Sequence, residues 1–97
     1  MPTYISLFNF TDQGIRNVRD TADRYDRSKE LAQKHGVRFE PVYWTVGPYD
    51  IVAIAEAPDE ESVSAFFLEL SSAGNLRTTT LRAYDREEMS SILQRLG

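Results

Sequence analysis

Two separated segments, Thr3–Phe10 and Tyr49–Ala57, are apolar at both their odd and their even positions. Successive side chains of a strand point to opposite faces, so Ile5 and Leu7 would lie on one side and Tyr4, Phe8 and Phe10 on the other. A strand apolar on both sides belongs in the middle of a sheet with something covering each face. The segments that would flank these two are different in kind. Val37–Val46 carries Arg38, Glu40 and Pro41, and a proline, which cannot donate to the ladder, marks an edge. Gly47-Pro48 predicts a tight turn that pairs this segment with Tyr49–Ala57 as a hairpin. Leu76–Tyr84, with Thr78-Thr79-Thr80 between Arg77 and Arg82, is the more polar strand expected at the other edge.

Helical signals fill the gaps. Thr11-Asp12 offers an N-cap, and apolar residues recur at Ile15, Val18, Ala22, Tyr25, Leu31 and Ala32 among charged positions. Thr21 suggests a break that could cap a second segment, and Lys34-His35-Gly36 supplies cations and a glycine at the helix end. Asp59-Glu60-Glu61-Ser62 then caps a helix whose Val63, Phe66, Phe67 and Leu70 share one face. Asp85-Arg86-Glu87-Glu88 has the form of a capping box, opening a tail helix with Met89, Ile92, Leu93 and Leu96 on one stripe.

This order, β-α-β-β-α-β followed by a C-terminal helix, predicts an α+β chain with a ferredoxin-like, four-stranded antiparallel sheet. Two main helices cover one face of such a sheet. The other face would leave Phe or Tyr of the first strand, and apolar residues of the third, in water, a larger patch than monomers usually tolerate. A second copy of the sheet is the economical cover, so a homodimer is expected, with the chain's own tail helix as the rival cover.

Composition narrows the function. Ninety-seven residues with 41% hydrophobic and 27% charged side chains predict a single domain over 1–97. A net charge of −4 argues against nucleic acid or an anionic membrane as partner. There is no cysteine and one histidine, which excludes thiolate chemistry and leaves zinc or haem little to bind. No cofactor or metal is therefore expected. The start of the chain lacks a basic n-region and cleavage site, and Ile51–Ala55 is far too short to span a bilayer, so the expected location is cytoplasmic.

At Gly47-Pro48-Tyr49-Asp50 the chain resembles the GYD domain family of small bacterial proteins. Thr11-Asp12-Gln13-Gly14, Glu56-Ala57-Pro58-Asp59, Gly74-Asn75-Leu76-Arg77-Thr78 and Leu81-Arg82-Ala83 follow in the family's order, so the resemblance covers essentially the whole length. It implies a ferredoxin-like fold of the dimeric α+β-barrel type and carries no established activity. Pro48 stands where a more variable, often polar residue is expected, which stiffens the turn.

No catalytic set can be assembled, and five residues stand out for ligand binding. Asp50 is an acid beside an apolar strand. It either accepts hydrogen bonds from the backbone of residues 45–52 or, desolvated, offers a proton to a ligand. Tyr4, Tyr43, Trp44 and Tyr49 could give flat walls and polar tips to a planar molecule, or they could be core and interface. Pro2 as an amine base would require loss of Met1 and a cavity beside it, and neither is expected; His35 reads as a cation at a helix C-terminus. The expected function is a homodimer binding a small apolar or aromatic molecule near the sheet. The alternatives are a cofactor-independent enzyme (a monooxygenase, decarboxylase or isomerase) and a purely structural or interaction subunit.

Overall fold

A computed structural model describes residues 1–97. Strand β1 is Thr3–Phe10, followed by helix α1 (Asp12–Arg16), a 3-10 turn (Val18–Asp20) and helix α2 (Thr21–Lys34). Strands β2 (Arg38–Trp44) and β3 (Ile51–Glu56), helix α3 (Glu60–Ser72), strand β4 (Leu76–Ala83) and helix α4 (Arg86–Leu93) complete the chain. All neighbouring strands are antiparallel, in the order β2-β3-β1-β4. The two segments apolar on both sides are thus the inner strands, and the proline-bearing and threonine-rich segments are the edges.

Register assigns the faces. Tyr4, Ser6 and Phe8 lie opposite Ala55, Ala53 and Ile51, and all six are buried beneath α2 and α3. The small alanines of β3, with Ala32 and Ala57, let the helices approach the sheet closely. The centre of this layer is aromatic: Phe39 stacks edge-on to Phe66 at 5.0 Å and to Phe8 at 6.0 Å, and Phe66 lies 4.9 Å from Phe67. Each buried phenylalanine contributes on the order of 2–3 kcal/mol by removal from water.

Several local expectations change. The rings of β1 face the helices, where the phenylalanine cluster gathers them. The other side of β1 therefore carries Ile5 and Leu7, opposite Ile54 and Val52, rather than a Phe or Tyr. The break near Thr21 is present, but Thr21 begins α2 without capping it, and its hydroxyl accepts from the Trp44 indole N–H at 3.1 Å. Ile15 and Val18 at the start of the helical stripe are exposed, because α1 and the 3-10 turn run past the edge of the core. The β2–β3 connection is a loop over residues 45–50 rather than a tight turn, closed by the Thr45 N–H to the Asp50 carbonyl at 2.8 Å. Pro41 lies where the β2–β3 register shifts between Phe39 and Val42, so the bulge absorbs the missing donor. The capping box of α4 forms as expected: Asp85 accepts from the Glu88 N–H, and Glu88 from the Asp85 N–H.

Candidate functional site

Of the five residues singled out for ligand binding, Tyr43, Trp44, Tyr49 and Asp50 share the β2–β3 hairpin, and Tyr4 lies apart from them. The Asp50 carboxylate accepts from the Phe10 N–H at 2.9 Å, and the Asp50 N–H donates to the Phe8 carbonyl at 2.8 Å. It ties the loop to the end of β1, outside residues 45–52. Tyr49, half-buried, receives the Thr45 hydroxyl on its carbonyl at 2.6 Å. Tyr43 points from the edge strand to the side away from the helices and is 60% exposed. Trp44 points to the helix side, edge-on to Tyr25 at 6.0 Å. Tyr4 is buried near the opposite end of the sheet, paired with Ala55 and Arg82. Tyr4 alone of the five lines a cavity, and Pro2 lines none, its carbonyl accepting from the Ala57 N–H.

The cavity at Tyr4 is an open groove of about 520 Å³ between α3 and the helix side of β4. Neither α2 nor α3 fully covers β4, so Thr78, Thr80 and Arg82 face the groove in alternation, opposite Ser64 and Ser71. The Tyr4 hydroxyl is buried without a hydrogen-bond partner. Arg82 lies over the Tyr84 ring at 4.4 Å and donates to the carbonyls of Thr3 and Ala83, with Glu88 at 3.4 Å. The guanidinium thereby fastens the start of α4 to the sheet. Of this set the sequence singles out Tyr4 and not Thr78, Thr80 or Arg82. The signal was the i, i+2 spacing of Thr78, Thr80 and Arg82, which puts polar groups on the helix side of a strand.

Two motif segments meet in space. Thr11 donates its hydroxyl to the Gly74 carbonyl at 2.5 Å and its N–H to the Asn75 carbonyl at 3.1 Å. Gln13 donates to the Ala73 carbonyl and the Asn75 side chain, both at 3.0 Å. Thr11-Asp12-Gln13-Gly14 and Gly74-Asn75 therefore form an interlock that closes α1 onto the α3–β4 turn. Its chemistry is structural: every polar group named is spent on backbone or on a neighbour.

The ionisable groups form surface pairs. The Lys29 ammonium, hydrogen-bonded to Glu40 at 3.2 Å, holds that carboxyl below the usual range. A hydrogen bond from His35 at 2.8 Å does the same for Glu69, with Lys34 assisting. No three His, Asp or Glu side chains gather as a metal site would need. No helix is long and apolar enough to cross a membrane.

Two apolar surfaces have no cover of their own. The sheet face away from the helices presents the half-buried Ile5, Leu7, Val52 and Ile54, bordered by the exposed Leu81 and Tyr43. Helix α4 does not cover this face and carries Met89 and Leu93 in solvent at 45% and 50% exposure, with Leu96 beyond its end at 69%. Both are the kind of surface that marks an interaction site.

A family model described as the GYD domain matches residues 4–93. A curated relative from Thermus thermophilus, named glutamine synthetase and cystathionine beta-lyase binding protein, is 38% identical over 84 residues, which span 86% of this chain and 88% of the relative. The crystal structure of a Thermus thermophilus protein superposes with a TM-score of 0.56 at 26% identity, covering 89% of this chain and all of that one.

Proposed function

The chain belongs to the GYD domain family, and on that premise we propose that it is an interaction module, a single domain over residues 1–97 that pairs with a second copy and binds other proteins. The ferredoxin-like reading is supported by the strand order β2-β3-β1-β4. The dimeric barrel reading is supported by the bare apolar sheet face.

The observation that carries the proposal is surplus surface. A compact monomer of 11.1 kDa exposes about 5,700 Å², whereas this chain exposes 6628 Å². The difference is close to the roughly 800 Å² that each partner contributes to a standard interface. Exposed apolar side chains at the border of the sheet face, Tyr43 and Leu81, and on α4, Met89 and Leu93, are what an interface supplies and an enzyme pocket does not. The relative's name points to enzymes as partners, so the proposed targets are glutamine synthetase and cystathionine beta-lyase of the same cell, and the proposed location is the cytoplasm. The enzymatic alternative needs an acid or base aimed into an enclosed pocket, and Asp50 lines none of the cavities.

The test is biolayer interferometry with each purified enzyme immobilised. Saturable binding with a Kd of about 10 μM or tighter is expected, typical of a modest interface. It should weaken at least about tenfold for Leu93→Asp, which removes an exposed apolar contact. Absence of binding to both enzymes at about 100 μM would remove them as partners.

A further inference from the structure

Helices α2 and α3 do not close on one another over the end of the sheet. Between them lies a cleft of about 230 Å³ with Leu31, Leu70 and Leu76 as its walls. A separate small void, which shares Arg24, Ser28 and Leu76 with the cleft as lining, lies against Phe8, Tyr25 and Phe39. Native interiors are close-packed and leave few voids, so a leucine-walled cleft with a second void beside it is a specific feature of this packing.

The chemistry of the cleft is polarised. Beside the void the one charged lining residue is Arg24; the Tyr25 hydroxyl donates to the Phe39 carbonyl at 2.7 Å, and burial holds that phenol above its ordinary range. The mouth is cationic. Arg24 is held rigid by the Asn17 carbonyl at 2.6 Å and the Gly14 carbonyl at 3.4 Å. Arg27, on the next turn of α2, is in no ion pair. The acid on the opposite rim, Glu69, is already engaged by His35 and Lys34.

From this arrangement we infer that the cleft between α2 and α3 is a binding site for a small amphipathic carboxylate, with an aliphatic or aromatic body among the leucines and the carboxylate on Arg27. A neutral molecule would leave Arg27 without its partner. A dianion would bring more charge than one free guanidinium answers. The cleft is smaller than the roughly 300 Å³ at which drug-sized pockets begin, which restricts the body to a single ring or a short chain. The site is separate from the sheet face and does not depend on the protein-binding reading.

Benzoate and hexanoate are suitable probes, with benzyl alcohol as the neutral control, titrated into isotope-labelled protein and followed by amide NMR shifts. Saturable shifts are expected at Ser28, Leu31, Leu70 and Leu76. At least one carboxylate should bind about fivefold or more tightly than benzyl alcohol, the effect of one exposed charge-assisted contact. Arg27→Gln should weaken the carboxylate by about the same factor and leave the alcohol unchanged. Because Arg27 is exposed and unpaired, the variant should fold normally, which its amide spectrum reports directly. The inference is overturned if neither carboxylate binds at about 20 mM, if the shifts fall on another surface, or if Arg27→Gln binds the carboxylate as well as the unchanged protein.

Discussion

At the scale of single residues, the informative positions are those where backbone meets backbone. A methyl added to Gly14 would sit 2.0 Å from the Asn75 carbonyl oxygen, an atom fixed by the Thr11 N–H and unable to swing aside. Gly14→Ala should therefore push the α3–β4 turn away from α1 and cost about 2–3 kcal/mol, as overpacking does, read as a lower urea midpoint. A loss under about 0.5 kcal/mol would show that the interlock yields more easily than its hydrogen bonds imply. Asp50 is a second such position. Asp50→Ala leaves the Phe10 N–H without its acceptor and should cost about 1–2 kcal/mol, while Asp50→Asn keeps a carbonyl there and should cost about half as much. A loss of equal size in both variants would mean that the charge, and not the acceptor, matters.

At the scale of elements, the polar pairs that brace the helices make stability depend on pH. Three carboxyls sit below their ordinary range: Glu40 through Lys29, Glu69 through His35, and Asp59 through the Ser62 N–H at the start of α3. Their folded pKa values are depressed, so their contribution is complete above the unfolded carboxylate range and disappears as pH falls through the folded values. All three are exposed, so each effect is small and screened by salt. Urea midpoints should decline from about pH 6 to about pH 3, and the triple variant Glu40→Gln, Glu69→Gln, Asp59→Asn should decline less steeply; parallel curves would place the acid sensitivity elsewhere. Elements of this kind were well legible in the sequence. β1, with its apolar residues on both sides, and α4, with Asp85 and Glu88 at box spacing, followed from local chemistry. What could not be read was which face of β1 the helices would take, since Ile5 with Leu7 and Tyr4 with Phe8 are both apolar. That choice was made by Phe39, Phe66 and Phe67, which come from distant segments. The candidate site was less legible for the same reason. Asp50 and the four aromatics were picked by residue type, whereas the cavities arise where α2, α3 and β4 leave space.

At the scale of the whole molecule, the chain is more extended than its length requires. A compact domain of this size has a radius of gyration of about 12.5 Å, against 14.6 Å here, with extents of 52 × 31 × 18 Å. Helix α4 is fastened at its first turn by Arg82 and Glu88 and leaves Met89 and Leu93 of its apolar stripe exposed. Its failure to fold back leaves the sheet face open, so the two unpartnered surfaces have one cause. A twofold partner is the expected cover for the sheet face, because Ile5, Leu7, Val52 and Ile54 present the same patch from each copy. Light scattering near 10 μM should report about twice 11.1 kDa. Ile54→Glu places a charge at the centre of that patch without touching the aromatic layer beneath the helices. It should give a monomer whose circular dichroism is unchanged, since a buried unpaired carboxylate opposes association by several kcal/mol. Removing residues 85–97 separates the two surfaces. If the sheet face is the main contact, the truncated chain remains dimeric but dissociates more readily on dilution. If the truncated chain is monomeric while Ile54→Glu still dimerises, the tail helix holds the pair together and the face-to-face arrangement is wrong.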